Sequence, residues 1–504
     1  MASIKEIIAL CKESRLQEAY DLAKKDIEAV MQADIMHQLP WAQRELGWTL
    51  YYMIKQDCEN ANFQSLLNHL DELKSLDQLS TSSDDIIFGN VLFKIAEFIR
   101  RHIPICNNIN KNDSYQKLDE LYLRLRDYNF IPSKGYSFLL QTVIKHEGWI
   151  NMADFIDWWN LDNLTIEDYA PFTTQDGKII MSLAERAFIA KSKALLQRHN
   201  KNRTEEFIPQ LEDLIESHPE MTYPGYFKGK LLLSLGSTQE NALRAVMPFV
   251  RKKVTEFWVW QLLSEVFVND FEKQMACLLR AASCKTQEGF LGKVRIKLAE
   301  LYIMQSLLGK AKYHIDQVIQ CYLKKGWKLP YEIFVWTQQP WMKTTVSDAQ
   351  PDVDFMSITD DILCDGSEEA IAVVTYFDPK SRKKTLLYGK EKRLTCRLPF
   401  KAGTGIVLKM NYITERNGNQ RVLRASPVDF PGNLDFAKVV NGSITKHLEW
   451  TFAFLNYEQG KAFVASAAVE KYHVVDGEKI TALVVYDYDR KKNQWNWMCI
   501  SVKR

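Results

Sequence analysis

The period at which apolar residues recur changes once along the 504-residue chain, and this change constrains the fold more than any other feature. From Met1 to about Trp341, apolar residues recur three and four positions apart, as on one face of an α-helix. From Ile371 onward, short segments alternate apolar and polar residues, which is the period of a β-strand. The sequence therefore predicts a multidomain protein with an all-α region followed by small β-domains.

A repeat of 34 and 35 residues is present between Tyr223 and Lys325. One position of the repeat is alanine in each copy: Ala242, Ala276 and Ala311. Nine residues before each alanine stands a larger apolar side chain: Leu233, Phe267 and Tyr302. Because two helices approach closely only where side chains are short, this pattern indicates helical hairpins. It resembles the tetratricopeptide repeat, and the resemblance implies an α-solenoid over residues 1–342 whose curved surface binds a protein partner.

Three tryptophans lie close together in the middle of the helical region: Trp149, Trp158 and Trp159. Packing between neighbouring helices is the favoured interpretation, because aromatic side chains dominate such cores. Two alternatives stay open: a patch that binds a peptide or a base, and an enzyme site of an unfamiliar kind.

The composition becomes acidic between residues 343 and 368. Seven carboxylates fall in this stretch: Asp348, Asp352, Asp354, Asp360, Asp361, Asp365 and Glu368. We interpret it as an acidic linker that acts as a solvated tether, with a short helix near residues 358–363.

Five segments after the linker have the length and alternation of strands: 371–377, 385–388, 394–398, 405–413 and 420–425. The Asn417-Gly418 dipeptide is a strong hairpin signal between the last two. Five short strands in so few residues predict a small Greek-key barrel of the OB type over residues 369–430. Pro431-Gly432 then opens a second module, over residues 431–504.

Charge is distributed unevenly along the chain. Residues 369–504 contain 23 Lys and Arg against 13 Asp and Glu, a balance of +10, while residues 1–368 have a balance of −8. A basic C-terminal part on an acidic body predicts that the C-terminal modules meet phosphate and the rest does not.

The most informative stretch of the second module contains Phe452-Ala453-Phe454-Leu455 and, further on, Ala462-Phe463-Val464. Successive side chains of a strand point to opposite faces. If the alanines, the leucine and the valine point into a core, then Phe452, Phe454 and Phe463 share the outer face. Such an exposed aromatic patch marks a contact site, and a platform on which unpaired bases stack explains it economically.

These residues resemble the cold-shock form of the OB-fold. Phe452, Phe454 and Phe463 fall on that family's stacking aromatics, and Asp476-Gly477-Glu478 falls on the turn before its fourth strand. The stretch departs from the family at Lys446, where a tryptophan is usual, and at Ala465-Ser466, where His-Phe is usual. It is more similar to the RNA-binding domain of the transcription terminator Rho. The combination of tetratricopeptide-like helices with such modules also resembles bacterial proteins of conflict and antiviral-defence loci.

The resemblance and the charge together give the candidate nucleic-acid-binding residues. Stacking is assigned to Phe452, Phe454 and Phe463, and Trp450 near the start of the strand is a further candidate nucleic-acid-binding residue. Phosphate contacts are assigned to basic residues of both modules: Lys446, Lys461, Lys471, Arg490, Lys491, Lys492, Lys383, Lys384 and Arg393. Two tandem modules are expected to gain avidity from their high effective concentration.

Sequence motifs of common enzymes are absent. The chain has no phosphate-binding Gly-rich loop, no dinucleotide fingerprint, no His-Glu-x-x-His and no Gly-x-Ser-x-Gly. Nine histidines and nine cysteines are scattered without zinc-ligand spacing. We therefore expect a protein that is not an enzyme, with no metal and no cofactor. Unpaired cysteines and the lack of a signal or membrane-spanning segment predict a cytoplasmic protein with no membrane partner.

The sequence favours an adaptor that binds RNA or single-stranded DNA through its C-terminal barrels and an unidentified protein partner through its helices. The alternative is a pure protein scaffold that binds no nucleic acid.

Overall fold

The computed structural model describes residues 4–76, 85–105, 111–128, 130–398, 400–415, 418–432, 434–489 and 493–503. The chain folds as two compact units, Met1–Phe249 and Val250–Arg504.

Over its described residues, the first unit is helical apart from one short β-hairpin. Its helices are α1 (Ile4–Lys12), α2 (Leu16–Gln32), α3 (Leu39–Asn60), α4 (Phe63–Lys74), α5 (Asp85–His102), α6 (Lys111–Leu125), α7 (Lys134–Val143), α8 (Met152–Trp159), α9 (Leu183–Arg198), α10 (Lys201–Ser217), α11 (Tyr223–Ser234) and α12 (Gln239–Lys252), whose last turn belongs to the second unit. The hairpin pairs β1 (Phe172–Thr173) with β2 (Ile179–Ile180). The apolar faces of α1 to α11 meet in one core, as their periodicity predicts.

The middle tryptophans belong to this core. Trp149 and Trp159 are 1% and 0% exposed, and each indole finds a partner for its N–H. Trp149 donates to the Asp119 carboxylate at 2.8 Å, and Trp159 donates to the Tyr136 carbonyl at 3.0 Å. Buried indoles with satisfied donors serve packing, so the favoured interpretation of Trp149 and Trp159 is confirmed.

The second unit begins with further helices. They are α13 (Phe257–Val266), α14 (Phe271–Ser283), α15 (Gly292–Met304), α16 (Leu308–Lys325), α17 (Tyr331–Thr337), α18 (Trp341–Thr344) and α19 (Phe355–Cys364). α13 packs on α14 and α15 packs on α16, so each pair forms a helical hairpin. Ala276 and Ala311 are fully buried on the second helix of each hairpin, where a short side chain allows the helices to approach.

The acidic stretch is attached to this helical part at several points. The Lys310 ammonium lies 2.9 Å from the Asp348 carboxylate, and the Tyr302 hydroxyl donates to the Asp352 carboxylate at 2.8 Å. Tyr302 is 1% exposed, so the donor end of this bond is buried, whereas the Asp352 carboxylate is exposed to water. Residues that read as a solvated chain in the sequence therefore have partners about 40 to 50 positions away.

Helix α19 continues this attachment toward the β-domains. Its Ile362 and Leu363 are buried, and Asp361 receives a hydrogen bond from Arg424 at 2.6 Å. The short helix expected near residues 358–363 is present. The prediction of a solvated tether is wrong, because the carboxylates and apolar residues of the stretch meet partners that the local sequence does not show.

Five strands follow, close to the positions predicted for them. They are β3 (Glu368–Phe377), β4 (Lys384–Gly389), β5 (Lys392–Cys396), β6 (Val407–Thr414) and β7 (Gln420–Pro427). They form an antiparallel sheet in the order β5-β4-β3-β6-β7. One face of this first sheet covers its own small core, in which Ala372, Val374, Leu386 and Leu408 are fully buried.

The last segment forms a closed barrel. Its strands are β8 (Ala437–Thr445), β9 (Ala453–Tyr457), β10 (Gly460–Val464), β11 (Lys479–Asp489) and β12 (Gln494–Lys503), and α20 (Ser466–Tyr472) lies between β10 and β11. The strand order around the barrel is β10-β12-β11-β8-β9, with β10 and β12 parallel and the other pairs antiparallel. The strand-rich C-terminal region predicted from the sequence is confirmed.

The first sheet and the barrel share a second apolar core. It consists of Val373, Leu387 and Val407 from the first sheet and Phe436, Ala437, Leu483 and Val485 from the barrel. Beside it, Arg393 forms an ion pair with Asp487 at 3.3 Å, and the Asp487 side chain is only 8% exposed. At Gly405 (φ +90°), a Cβ would lie 2.7 Å from the Cβ of Ser501, so the contact requires glycine there. The two β-domains are therefore packed together and are not separate domains joined by a flexible linker.

Candidate nucleic-acid interface

The β9–β10 hairpin places its side chains on two different faces of the barrel wall. Ala453, Leu455, Ala462 and Val464 are 0% exposed inside the barrel. The intervening phenylalanines point outward, and Phe454 is the direct cross-strand partner of Phe463. The face assignment predicted from the alternation is confirmed.

The outward rings form one cluster, which we call the aromatic platform: Trp450, Phe452, Phe454 and Phe463. Trp450 stacks on Phe452 with centroids 4.9 Å apart and planes at 14°. Phe463 lies 5.5 Å from Phe452 and 5.9 Å from Phe454. Phe452 and Phe454 meet edge to face at 5.8 Å. All four rings are half-buried, so each supports its neighbours and still offers surface to a ligand.

The platform extends into the loop before β9. The His447 ring lies edge-on to Trp450 at 4.1 Å, and next to it Leu448 is fully exposed. The loop is held at its start, where the backbone N–H of Lys446 donates to the Asp476 carboxylate at 2.7 Å. These contacts bring Trp450 onto the platform, although it precedes the strand by three residues.

Cations accompany the platform at one predicted position. The exposed Lys461 ammonium lies 5.1 Å from the centroid of the Phe454 ring, which is the distance of a cation–π contact. Lys471 is exposed on α20, where its ammonium lies over Tyr472. Lys446 is half-buried in the loop. Arg490, Lys491 and Lys492 lie outside the described residues.

The predicted basic residues of the first sheet differ from one another in their surroundings. Lys383 is exposed in the turn between β3 and β4. Lys384 is 6% exposed; its ammonium reaches the Phe400 carbonyl and lies 5.4 Å from the Phe377 ring. The prediction that Lys384 contacts phosphate is therefore wrong, because its side chain packs into the domain. Arg393 already pairs with Asp487, which gives it a role in holding the two β-domains together.

Two residues of the outer face were not predicted from the sequence. Met498 of β12 is the parallel partner of Phe463, and Asn456 of β9 is the partner of Lys461. Alternation along β9 could have indicated Asn456, since it lies two residues after Phe454. Met498 depends on the parallel pairing of β10 with β12, for which the sequence carries no local signal.

A second aromatic cluster lies elsewhere on the barrel. The Lys438 ammonium lies 4.7 Å from the Tyr457 ring and 4.5 Å from the Trp497 ring, and the Tyr486 ring lies 5.7 Å from that of Trp497 with the planes tilted by 60°. Burial raises the pKa of the Tyr457 phenol.

Burial also raises the pKa of the Cys499 thiol in the barrel core to about 12, which keeps that thiol protonated and unreactive at neutral pH.

Comparisons with known families place the platform in context. Residues 438–502 match the family described as S1/CSD-like domain 2 of the TOTE conflict systems. Residues 222–358 match a domain of unknown function (DUF7017). No curated protein matches the chain. The first match supports the cold-shock-like nature of the C-terminal module and its link to conflict systems, and it indicates nucleic-acid binding in a defence context. Across the described ranges, no helix is both long and apolar enough to traverse a membrane.

Proposed function

We propose that this protein is a non-enzymatic adaptor that binds RNA or single-stranded DNA in a bacterial antiviral-defence system. The observation that carries the proposal is the aromatic platform: four partly exposed rings in mutual contact on the outer wall of a closed barrel. Stacking of a base on an aromatic side chain is worth about 1–3 kcal/mol and tolerates any base. The platform is therefore suited to unpaired nucleotides with little sequence preference.

The arrangement of the strands supports OB-type modules. In the barrel, the first strand pairs with the second and the fourth, and the third runs parallel to the fifth, which is the OB order. The first sheet has the same order of antiparallel pairs, with β5 and β7 at its two edges. We therefore assign the barrel as the principal binding module and the first sheet as an OB-like domain that supports it.

The helical part is proposed to bind a protein partner. Large apolar side chains are exposed near the end of α16 and on α17, and they include Leu323 (67%), Tyr331 (78%) and Phe334 (56%). Buried alanines at the repeat position support a tetratricopeptide-like organisation. With a nucleic acid on the barrel and a protein on the helices, the chain brings two molecules together and needs no catalytic site. We place it in the cytoplasm because the eight cysteines among the described residues are free thiols.

The triple variant Phe452→Ala, Phe454→Ala and Phe463→Ala tests the platform directly. Fluorescence anisotropy with labelled oligonucleotides is expected to show binding by the wild type at ~50 mM salt and weaker binding at ~200 mM. The variant is expected to lose this binding while circular dichroism still reports the helical content. A matched control is Phe290→Ala, which removes an exposed ring from the helical part.

An unchanged affinity in the triple variant would refute the stacking role. Failure of the wild type to bind any oligonucleotide at low salt would favour the pure protein scaffold.

A further inference from the structure

A polar groove lies on the barrel wall beside the aromatic platform. It has a volume of about 600 Å³ and runs over β8 between β9 and β11. Its polar walls are formed by Asn441, Ser443, Asn456, Glu458, Lys479 and Thr481. None of these residues was among the binding residues expected from the sequence.

The strand register sets the groove next to the platform in a regular way. Lys461 is opposite Asn456, Asn456 is opposite Ser443, and Ser443 is opposite Lys479. These four exposed side chains form one row across four neighbouring strands. Because neighbouring strands are ~4.8 Å apart, the backbones of the two lysines are roughly 14 Å apart along the curved barrel wall. We call this the polar row.

The polar row runs parallel to the aromatic one. Phe463, Phe454 and Thr445 are also cross-strand partners, two residues along each strand from the polar row. At about 3.3 Å per residue, the two rows are ~7 Å apart. A nucleotide that stacks its base on Phe454 can therefore reach Asn456 and Ser443 with its sugar and phosphate.

The groove has the hydrogen-bonding groups that a ribose requires. The Thr481 hydroxyl donates to the Asn441 amide oxygen at 2.6 Å, which fixes both side chains and orients the Asn441 NH₂ group as a donor. Asn456 donates to Thr445 at 2.7 Å, and this bond leaves its amide oxygen as an acceptor. The Glu458 carboxylate also accepts hydrogen bonds, and its negative charge disfavours a phosphate at its end of the groove. The phosphate is thereby directed toward Lys479.

We propose that this groove binds the ribose and phosphate of an RNA strand and that it makes the protein prefer RNA over single-stranded DNA. The inference depends on the proposed stacking function. A 2′-hydroxyl both donates and accepts hydrogen bonds, so it is the group that a polar groove can use to distinguish RNA from DNA. Platform rings alone do not make this distinction, because bases of both polymers stack equally well.

The experiment compares a labelled oligouridine RNA with the oligodeoxyuridine of the same length, using anisotropy and the full chain. The wild type is expected to bind the RNA more tightly. Thr481→Val combined with Ser443→Ala removes two hydroxyls with little change of volume. We expect about a fivefold loss of RNA affinity and no change for DNA. Thr395→Val, an exposed threonine of β5, is the matched control and should change neither affinity.

Lys479→Gln tests the phosphate contact separately. It is expected to weaken RNA and DNA binding by similar factors and to reduce the slope of log affinity against log salt by about one. Lys293→Gln, which removes an exposed lysine of α15, should leave the slope unchanged.

The outcomes distinguish the groove from the platform. Equal wild-type affinities for RNA and DNA, or groove variants that bind RNA as the wild type does, would overturn the groove assignment while Phe454→Ala still weakened binding. If Phe454→Ala has no effect either, or the wild type binds neither polymer, the stacking function fails as well.

Discussion

Leu386 and Leu387 give a direct measure of how strongly the two β-domains depend on each other. Both are 0% exposed and adjacent on β4, so their side chains point to opposite faces of the sheet. Leu386 belongs to the first sheet's own core, whereas Leu387 belongs to the core shared with the barrel. Truncation of a buried leucine to alanine typically costs 2–5 kcal/mol, so Leu387→Ala is expected to destabilise the shared core by about 3 kcal/mol.

Hydrogen exchange of the full chain, followed by mass spectrometry, measures how far each β-domain is destabilised. A loss of ~3 kcal/mol corresponds to an increase of roughly 100-fold in the population of the open form. Leu387→Ala is therefore expected to accelerate exchange in β11 of the barrel, where Leu483 and Val485 pack against the shared core. Leu386→Ala, the matched control, is expected to accelerate exchange mainly in β3, β4 and β6.

The reasoning is refuted if Leu387→Ala leaves β11 protected as in the wild type while the first sheet exchanges faster. In that case the shared core would be a contact between independently stable domains, and the barrel would keep its own stability.

Two further predictions concern buried polar side chains in the helical part of the chain. Burial lowers the pKa of His146 to about 4, below the ~6.5 of the unfolded chain, so stability is full above pH 6.5 and declines as the pH falls toward 4. Chemical denaturation should show His146→Leu to be less sensitive to acid by about 1 kcal/mol per pH unit, and an unchanged pH profile would contradict this assignment. Tyr302→Phe deletes the bond to Asp352 and is expected to cost ~1.5–3 kcal/mol and to expose residues 345–354 to limited proteolysis. Wild-type resistance of that segment would show that other contacts hold it.

Local alternation was sufficient to predict the outer face of the barrel. Ala453 and Leu455 are small or aliphatic and the neighbouring phenylalanines are large, so only one assignment of faces fills a barrel without overpacking it. The five strands of the first sheet were predicted for the same reason. Their boundaries differ from the prediction by a few residues, because the last pairs of a ladder depend on partner strands.

Contacts between distant residues were not predictable from the sequence. Lys384 is part of a basic loop in the sequence, yet its ammonium lies over the Phe377 ring and reaches the Phe400 carbonyl. Asp361 is part of the predicted tether, yet its carboxylate accepts a hydrogen bond from Arg424, 63 positions later. In both cases the charge is visible in the sequence, but the partner that neutralises or buries it is fixed only by the tertiary fold.

The shared core also changes how two tandem modules can act on one nucleic acid. Avidity through effective concentration requires a linkage between the modules that lets both engage one strand at once, and it is lost where the geometry forbids this. Here the ion pair of Arg393 with Asp487 and the packing of Leu387 against Leu483 fix the first sheet on the barrel. The first sheet therefore lies at a fixed distance and direction from the platform. A nucleic-acid strand bound to the platform contacts the first sheet only if it leaves the platform in that direction. Any gain from the second module must then depend on the path of the bound strand, and exposed Lys383 can contribute only to oligonucleotides long enough to follow that path.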